Sequence, residues 1–261
     1  MKNIETIILG KRSFLTKEIK KKIKKAKVIS SKQIKTFNIK NYKSKKINII
    51  INLFHPTYAK IENNKKFKQL SLDLVFEFLN KFGPNKINKI IYTSSAVVFY
   101  KLKNRKAYRF KYLTMKKLVE KKLRIFCRKF NINLIISRPF NIYGKKDKHS
   151  IIQKLKDYKK NNSKLTIFNN GNSIRDFINV EDVAKVYRAL IEKKFVGIIG
   201  IGTGRGISIR KLVEKTGNIK NVKFLKKKNF ELTKSICDTK KLSNIINISK
   251  FKKVESYLNN K

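Results

Sequence analysis

Two near-continuous apolar runs, INIIINLF at 47–54 and INKIIYTSS at 87–95, restrict the folds open to this chain more than any other feature. Neither run shows the strict alternation of a strand with one wet face, so both faces of each strand are expected to be covered. Strands of this kind occur in parallel sheets whose connecting helices pack on both sides. The sequence therefore predicts an α/β fold with a doubly wound parallel sheet.

Strand and helix patterns alternate along most of the chain. The predicted strands cover residues 5–9, 26–30, 47–54, 88–94, 132–138 and 164–168. The predicted helices cover about 14–25, 65–82, 107–130, 148–161 and 181–194. The polar stretch between residues 30 and 47 is too short for a full helix and strand, so this half of the sheet is expected to be trimmed.

The formal net charge of +50 comes from 66 Lys and Arg residues against 16 Asp and Glu. A charge of this size is typical of nucleic-acid-binding proteins. However, the lysines are spread through every segment, Arg is scarce, and Ile and Asn are abundant. This pattern favours an AT-rich coding bias, because a phosphate-binding stripe would concentrate its cations and favour Arg. We therefore expect non-specific, salt-sensitive binding to nucleic acid and no specific nucleic-acid partner.

The cysteines and the apolar runs bear on the compartment. Cys127 and Cys237 lie far apart and form neither a disulfide framework nor a metal-binding spacing, which is typical of a reducing cytoplasm. The longest apolar run is too short to span a bilayer, and the N-terminus carries no secretory signal. His55 and His149 have no partner at metal-ligand or triad spacing. We expect a cytoplasmic protein without a membrane partner or a metal.

One pair of residues, Tyr112 and Lys116, has chemical potential because the two lie four apart on a predicted helix and share a face. A tyrosine with a pKa of about 10 can act as a base at neutral pH only when a nearby cation stabilises its phenolate. Ser95, at the end of the neighbouring strand, could hold a substrate oxygen beside the phenol. In a lysine-rich chain such a pair also arises by chance. Glu120 continues the same stripe and is expected to pair with surface lysines.

Further motifs follow this pair in a fixed order. They are ISRPFNIYG at 136–144, RDFINVEDVAKV at 175–186 and IGIGTGRGISIRKLVE at 199–214. The series resembles the extended short-chain dehydrogenase/reductase family, in its NAD-dependent nucleotide-sugar epimerase/dehydratase branch. The resemblance covers residues 88 to about 240, and the first 60 residues match mainly by strand order.

The resemblance implies a Rossmann-like doubly wound sheet with a small C-terminal substrate-binding lobe. It further implies that residues 1–261 form a single NAD(P)-binding domain of the epimerase/dehydratase type. We expect residues 1–165 to form mainly the nucleotide-binding core. We expect residues from about 195 to 261 to form mainly the substrate lobe.

The resemblance also implies catalytic roles. Tyr112 would exchange a proton with a sugar hydroxyl while hydride moves between the sugar and the nicotinamide. Lys116 would bind the nicotinamide ribose and lower the pKa of Tyr112, and Ser95 would be the catalytic serine. Pro139 and Phe140 would lie beside the nicotinamide.

On the substrate side, Ser95 would contact the sugar, and Asn141 and Arg175 would hold the diphosphate of a nucleotide-sugar. Arginine suits that task because its guanidinium donates two hydrogen bonds to phosphate oxygens. Lys228 and Glu231 stand where related enzymes often have an Arg and an Asp. From the residues alone, Arg175 and the following aspartate could equally be a surface ion pair, and Asn141 a turn cap.

The opening stretch LGKRSFLTKEI resembles the family's pyrophosphate loop, with two of three glycines replaced. Gly10 remains at the tight turn, while Ser13 and Thr16 occupy the other two positions. Phe14 and Leu15 are expected to pack the helix onto the sheet, and its first amides can still meet phosphate. The expected cofactor contacts are Gly10, Ser13, Phe14, Leu15, Leu53, Lys116, Pro139 and Phe140.

The cofactor itself stays open between NAD and NADP. The second strand ends as VISSK, without the Asp or Glu that would bind the hydroxyls of the adenosine ribose. Ser30, Ser31 and Lys32 would tolerate a 2′-phosphate. NADP is therefore expected at least as readily as NAD.

Two classes of function compete at this point, with a remote third. The first is an NAD(P)-dependent epimerase, dehydratase or ketoreductase that acts on a nucleotide-diphosphate sugar in polysaccharide precursor synthesis, expected as a homodimer. The second is a catalytically weak member that binds dinucleotide or a partner as a sensor, which the replaced glycines favour. The polar set of serine, tyrosine, lysine, asparagine and arginine favours the enzyme. A nucleic-acid-binding protein rests on charge alone.

Overall fold

The fold is built from twelve strands and ten α-helices in the part of the chain that a computed structural model describes. That part comprises residues 4–38, 46–54, 64–100, 108–145, 147–161, 164–217, 221–226 and 232–259. The strands are β1 (Glu5–Leu9), β2 (Lys27–Ile29), β3 (Ile47–Ile51), β4 (Ile87–Thr93), β5 (Asn133–Pro139), β6 (Asn141–Tyr143), β7 (Leu165–Ile167), β8 (Ile174–Asn179), β9 (Gly197–Ile201), β10 (Gly206–Ser208), β11 (Val222–Phe224) and β12 (Lys234–Ser235). The helices are α1 (Phe14–Lys22), α2 (Ser31–Lys35), α3 (Asn64–Lys68), α4 (Leu74–Phe82), α5 (Tyr108–Lys129), α6 (Ile151–Asn161), α7 (Val180–Glu192), α8 (Ile209–Glu214), α9 (Lys240–Ser243) and α10 (Val254–Asn259).

Six strands form a fully parallel central sheet in the order β2-β1-β3-β4-β5-β9. Successive side chains of a strand enter opposite hydrophobic clusters: Ile49 and Ile51 of β3 enter one, and Ile50 enters the other. Helices α4 and α5 cover the first face, and α1 and α7 cover the second. The predicted doubly wound α/β fold is therefore confirmed.

Strand β2 forms one edge of the central sheet in the part of the chain that the structure describes. Among the described residues β2 pairs with β1 alone and lies at the edge of the sheet. Between β2 and β3 the structure describes only the five-residue helix α2. The carboxyl end of β2 is therefore followed by a short capped turn of helix.

Smaller sheets lie beyond the central one. Strand β8 pairs with β6, β10 and β12, and β7 pairs with β11. Two expectations need correction. The predicted strand at 164–168 joins β11 instead of the central sheet, and residues 197–201, expected in the C-terminal lobe, supply the sixth central strand. Glycines at 197 and 200 weaken the strand signal of β9, because glycine has low strand propensity.

No helix in the described ranges combines the length and apolar composition that a bilayer span requires.

A buried lysine joins the central sheet to α7. Lys89 on β4 is 6% exposed, and its ammonium donates to the carbonyl oxygens of Leu190 (2.8 Å), Ile191 (3.1 Å) and Lys193 (2.9 Å). The last carbonyls of a helix have no partner within the helix and carry its negative dipole end, so a cation there stabilises them twice over. Burial lowers the pKa of Lys89, but the three acceptors compensate the desolvated charge.

We predict that Lys89→Met lowers the thermal unfolding midpoint by roughly 4–10 °C, because it leaves three carbonyls without a donor inside the fold. Differential scanning calorimetry measures this. Lys86→Met, at an exposed position three residues earlier, is the matched control and should shift the midpoint by less than about 1 °C. Equal midpoints for the two variants would contradict the capping role.

Candidate functional site

The loop between β1 and α1 turns on Gly10, whose φ of +108° lies in the region that favours glycine. A Cβ atom there would lie 2.5 Å from the carbonyl oxygen of Asn52, just after β3. That atom belongs to the backbone, which cannot move aside cheaply. The Gly10 amide also donates to the carbonyl oxygen of Ile29 at the end of β2 (2.9 Å). The loop is thus held at the carboxyl ends of three parallel strands, where ligands bind in such sheets.

The helix that follows presents its N-terminus at this edge. Ser13 is the N-cap of α1 and has an extended backbone, but its side chain makes no capping hydrogen bond. Leu15 is 3% exposed and packs in the second cluster, with the partly buried Phe14 against it. The packing expected for these two side chains is therefore present. Their backbone amides belong to the first turn, where N–H groups have no partner within the helix and can bind an anion.

The third glycine position holds a buried hydroxyl. Thr16 is 2% exposed, and its Oγ1 accepts a hydrogen bond from the side-chain amide of Asn52 at 2.8 Å. Leu53 is buried in the first cluster, and its backbone nitrogen lies 3.0 Å from the place a Cβ of Gly10 would take. The threonine at this glycine position therefore links α1 to the end of β3 by a hydrogen bond.

The tyrosine–lysine pair lies one step further along the same edge. Lys116 on α5 is 3% exposed; its Nζ lies 3.8 Å from the ring centroid of Phe54 and 5.7 Å from that of Tyr112. The Tyr112 ring meets Phe54 edge-on at 5.3 Å. Lys116 also donates to the carbonyl oxygen of Thr93, the last residue of β4, at 2.7 Å. The pair therefore contacts the ends of both β3 and β4, two residues from the backbone that fixes Gly10.

Burial has a strong effect on the charge of Lys116. Desolvation lowers its pKa to about 7, and the negative charge of Glu120 opposes that shift. Below this pH the ammonium can stabilise the phenolate of Tyr112, and above it the amine is neutral. Lys116 therefore changes between its charged and neutral forms near neutral pH.

Glu120 is buried, and the expectation that it pairs with surface lysines is wrong. It is 1% exposed and accepts hydrogen bonds from Ser94 (2.6 Å), Arg124 (2.9 Å) and Arg138 (3.0 Å to Oε1, 2.6 Å to Oε2). Burial alone would raise the pKa of Glu120. The hydrogen bonds from Arg138 and Ser94, together with the two guanidinium charges, outweigh burial and lower it. Its spacing of four residues from Lys116, on the buried face, was the signal in the sequence.

The two serines after β4 have different partners. Ser94 is 3% exposed and bound to Glu120. Ser95 is half-buried and caps the short 3₁₀ turn Ala96–Phe99, accepting from the amide of Val97 at 3.3 Å. Ser95 therefore stands one residue beyond the serine that binds Glu120.

An aromatic wall borders the end of β5. Pro139 ends that strand, and the amide of Phe140 donates to the carbonyl oxygen of Ile201 at 2.9 Å. The Phe140 ring, 8% exposed, stacks on Phe99 at 6.2 Å between centroids. Arg138 lies 4.5 Å from the centre of the Phe99 ring and so joins this wall to the Glu120 network.

The two residues assigned to the diphosphate lie on neighbouring strands. Asn141 on β6 donates from its side-chain amide to the carbonyl oxygen of Asp176 on β8 at 2.9 Å. Arg175 on β8 is half-buried, and its Nη1 donates to the carbonyl oxygen of Ile174 at 2.9 Å. Lys228 and Glu231 lie outside the described residues.

Asp176 is not part of a surface ion pair. Its side chain is fully buried and accepts from the amides of Thr203 (2.9 Å), Gly204 (2.9 Å) and Cys237 (3.2 Å) and from the Thr203 hydroxyl (2.7 Å). Gly202 is required beside it, because a Cβ there would lie 2.6 Å from the carboxylate. Asp176 thus anchors the strand that carries Arg175 to the loop after β9.

No group of three His, Cys, Asp or Glu side chains in the described part of the chain could hold a metal ion. His149 lies before α6, where its backbone amide donates to Asp147 Oδ1 at 3.1 Å. His55 lies outside the described residues. The chemical groups gathered at the sheet edge are therefore a phenol, an ammonium, hydroxyls and backbone amides, which suit proton transfer and anion binding.

Comparison with curated proteins finds partial matches. A segment is 31% identical over 96 residues to dTDP-D-glucose 4,6-dehydratase of Dictyostelium discoideum, covering 36% of this chain and 22% of that protein. Another match is 32% identical over 99 residues to a putative UDP-glucose 4-epimerase of Methanocaldococcus jannaschii, covering 36% of this chain and 32% of that protein. The matched regions therefore span a fifth to a third of these relatives.

Solved structures match over nearly the whole chain. UDP-N-acetylglucosamine 4-epimerase from Methanobrevibacter ruminantium M1 has a TM-score of 0.77 at 19% identity, covering 99% of this chain and 96% of that one. UDP-glucuronic acid 4-epimerase from Bacillus cereus, in complex with UDP-glucuronic acid and NAD, has a TM-score of 0.78 at 18% identity, with 98% and 96% covered. At such identities the likeness establishes the fold.

A sequence model of the NAD dependent epimerase/dehydratase family matches residues 11–202, well over half of the chain. The matched region begins at Lys11, directly after Gly10, and runs through α5 to the strand that completes the central sheet. It includes Tyr112, Lys116 and Arg175. The chain therefore belongs to the NAD dependent epimerase/dehydratase family.

Proposed function

We propose that the protein is an NAD(P)-dependent enzyme that epimerises, dehydrates or reduces a nucleotide-sugar. The observation that carries this proposal is made in the short segment after β3: the Asn52 backbone lies against Gly10, and the ring of Phe54, two residues later, contacts Tyr112 and Lys116. This arrangement supports the proposal that the turn binds an anion and that Tyr112 and Lys116 act as an acid–base pair. Family membership and structural likeness to nucleotide-sugar epimerases and dehydratases support the same conclusion.

The residues of this edge fit a dinucleotide. Gly10 allows a tight turn against the Asn52 backbone that a side chain would prevent, and the first amides of α1, from Ser13 to Leu15, are suited to a pyrophosphate. Lys116 would hold the nicotinamide ribose, with Leu53, Pro139 and Phe140 lining the pocket. When bound, the nicotinamide accepts or returns hydride at a sugar carbon. The Bacillus cereus structure contains NAD, while the carboxyl end of β2 here favours NADP at least equally.

Tyr112 moves the proton in the proposed mechanism. As phenolate it accepts the proton of a sugar hydroxyl whose carbon is oxidised, and as phenol it returns that proton. Lys116 stabilises the phenolate as long as its own amine is protonated, and Glu120 favours that protonated form. Ser95 orients the sugar oxygen by a hydrogen bond. A carbon cannot lose hydride beside its hydroxyl unless the proton also leaves, so this base is essential.

The diphosphate of the nucleotide-sugar would lie against β6 and β8. Arg175 would supply the charge there, and Asn141 a side-chain amide oriented by the backbone of β8. We assign Lys228 and Glu231 to the same substrate. We expect the pathway to be the supply of polysaccharide precursors.

We also propose a cytoplasmic location and a homodimer. Both cysteines are free and buried, which fits the reducing cytoplasm. Leu118 and Ile125 are 36% and 59% exposed and lie seven residues apart on one face of α5. This face fits the expected homodimer.

A catalytically weak sensor of dinucleotides is the second candidate. Thr16 is bonded to Asn52 where a glycine would let the helix approach more closely. A protein of this kind binds the cofactor but does not turn over a nucleotide-sugar, so a turnover assay distinguishes it from the enzyme.

We predict that Tyr112→Phe lowers turnover of the true substrate by about two to four powers of ten, because it removes the proton carrier and keeps the ring against Phe54. The substrate is found first by a screen of UDP-, dTDP-, GDP- and CDP-sugars. Tyr92→Phe is the matched control, since the Tyr92 hydroxyl is buried and has no hydrogen-bond partner among the described residues. Tyr92→Phe should keep full activity, and a fully active Tyr112→Phe would refute the mechanism. If even the wild-type protein turns over none of the nucleotide-sugars, the sensor is favoured.

We predict that Glu120→Gln moves the alkaline limb of the kcat/KM profile to lower pH, on the order of half a pH unit. Glu120 raises the pKa of Lys116, so without its charge Lys116 becomes neutral at a lower pH. Arg124→Gln removes a partly exposed partner of Glu120 and keeps the carboxylate, so its limb should stay near the wild-type position. A pH profile that is lower in amplitude but unshifted would mean that Glu120 acts through folding alone.

We predict that Ser30→Asp weakens NADP binding at least tenfold and leaves NAD binding equal or tighter, as measured by calorimetric titration. Ser30 caps α2, with its Oγ accepting from the Gln33 amide at 3.4 Å, and aspartate can replace this cap. Its added charge repels a 2′-phosphate and can bind ribose hydroxyls. Ser30→Asn, an uncharged cap, should change neither affinity more than about threefold. Unchanged NADP binding in Ser30→Asp would place the adenosine ribose elsewhere.

A further inference from the structure

A second cavity of about 470 Å³ opens in the C-terminal half of the molecule. It lies between the β10–α8 segment and the chain that leads into α10. Its apolar lining comes from Ile174 and Phe177 of β8, Ile207 of β10 and Val254 of α10. None of Gly10, Tyr112, Asn141 or Arg175 lines it, so it is separate from the site described above.

Cations dominate the polar lining of this cavity. They are Arg205, Lys211, Lys215, Lys252 and Lys253, with Glu255 as the acid among the lining residues. Lys211 lies on α8 and Lys215 is its C-cap, four residues later, so the two like charges face the same side. Among the described residues, no carboxylate lies within 4 Å of Lys211, Lys215 or Lys253.

Two further cations hold the walls of the cavity in place. Arg205 donates from Nη2 to the carbonyl oxygen of Phe251 at 3.1 Å. The Lys252 ammonium binds Glu181 at 2.7 Å, and its backbone amide donates to Asp182 at 2.7 Å. These bonds tie the segment before α10 to the loop after β9 and to α7. The cavity is therefore bounded by connected walls, with charged groups at its edge.

Charge alone would not single out this cavity, because lysine covers the whole chain. The cavity is distinguished by the combination of apolar lining, cations and volume. An apolar floor formed partly by Phe177 can take a flat ring. Ammonium groups that have no carboxylate partner among the described residues can take phosphates, and the volume falls within the range of small-molecule sites. A concave wall that is mainly cationic also concentrates the electric field, which an exposed lysine on a convex surface does not.

We propose that this cavity is a second ligand site, which binds a phosphorylated small molecule of nucleotide size. Ile174 and Phe177 flank Arg175, assigned to the substrate, and the buried Asp176 on β8, and Thr203, which lines the cavity, binds Asp176. An occupant would therefore contact the strand and the loop that position Arg175. The site stands independently of the proposed catalytic activity.

The test is calorimetric titration of the full chain with ATP, at about physiological salt and with NAD and NADP saturating. Lys211→Gln with Lys215→Gln should weaken ATP binding at least tenfold, because two phosphate partners are lost. Lys117→Gln with Lys121→Gln, an exposed pair of the same spacing on α5, removes equal charge and should change binding less than about threefold. Inorganic triphosphate should bind more weakly than ATP, since it leaves the apolar floor empty.

Photo-crosslinking with 8-azido-ATP gives a readout that survives a poorly folded variant. The label on the wild-type chain should map to peptides containing residues 203–215 or 252–255. Equal loss of binding in both double variants would overturn the proposal, as would label confined to the loop after β1 or no saturable binding up to about 5 mM. A short single-stranded RNA that displaces ATP at a lower concentration would assign the cavity to nucleic acid and also overturn it.

Discussion

The buried carboxylate of Glu120 is the interaction on which the site depends. It receives hydrogen bonds from α5 itself, from the end of β4 through Ser94 and from the end of β5 through Arg138. These bonds fix the roll of α5 against the sheet, and the same helix carries Tyr112 and Lys116. Removing one partner of a buried ion pair costs roughly 3–5 kcal/mol, because the remaining charge is left without compensation. The positions of Tyr112 and Lys116 in the proposed proton transfer therefore depend on a buried network that does not itself contact the substrate.

The layered fold was predictable because burial on two faces leaves a local mark. The isoleucine runs of β3 and β4 predicted central strands, because both of their faces are apolar. The short polar connection before β3 predicted a trimmed sheet. Strand β9 was misplaced because two of its five residues are glycine, and because its partner β5 lies some sixty residues earlier in the chain. A strand that is defined by its neighbour more than by its own side chains has no clear local signal.

The site shows the same division. The spacing of Tyr112 and Lys116, and their order relative to the later motifs, were visible in the sequence. The spacing of Glu120 placed it on the face of Lys116, but the partners of Glu120 and Asp176 were not visible, since a carboxylate among lysines is expected to be solvated until the fold shows which donors surround it. Burial reverses the expected role of each: Glu120 is bound by two guanidinium groups, and Asp176 by backbone amides of distant loops. Acidic residues are scarce in this chain, and several of them hold separate elements together.

The close approach of Gly10 to the backbone after β3 has a consequence for how such loops change over evolutionary time. At this position any side chain would collide with a carbonyl group of the sheet, so no neighbouring substitution can make room. At positions 13 and 16 the surroundings are side chains and a helix end, and a serine and a threonine have been accommodated, the latter with a new hydrogen bond. The three glycines of such a loop are thus unequal under mutation, and searches that require all three will pass over chains that retain the one that cannot vary.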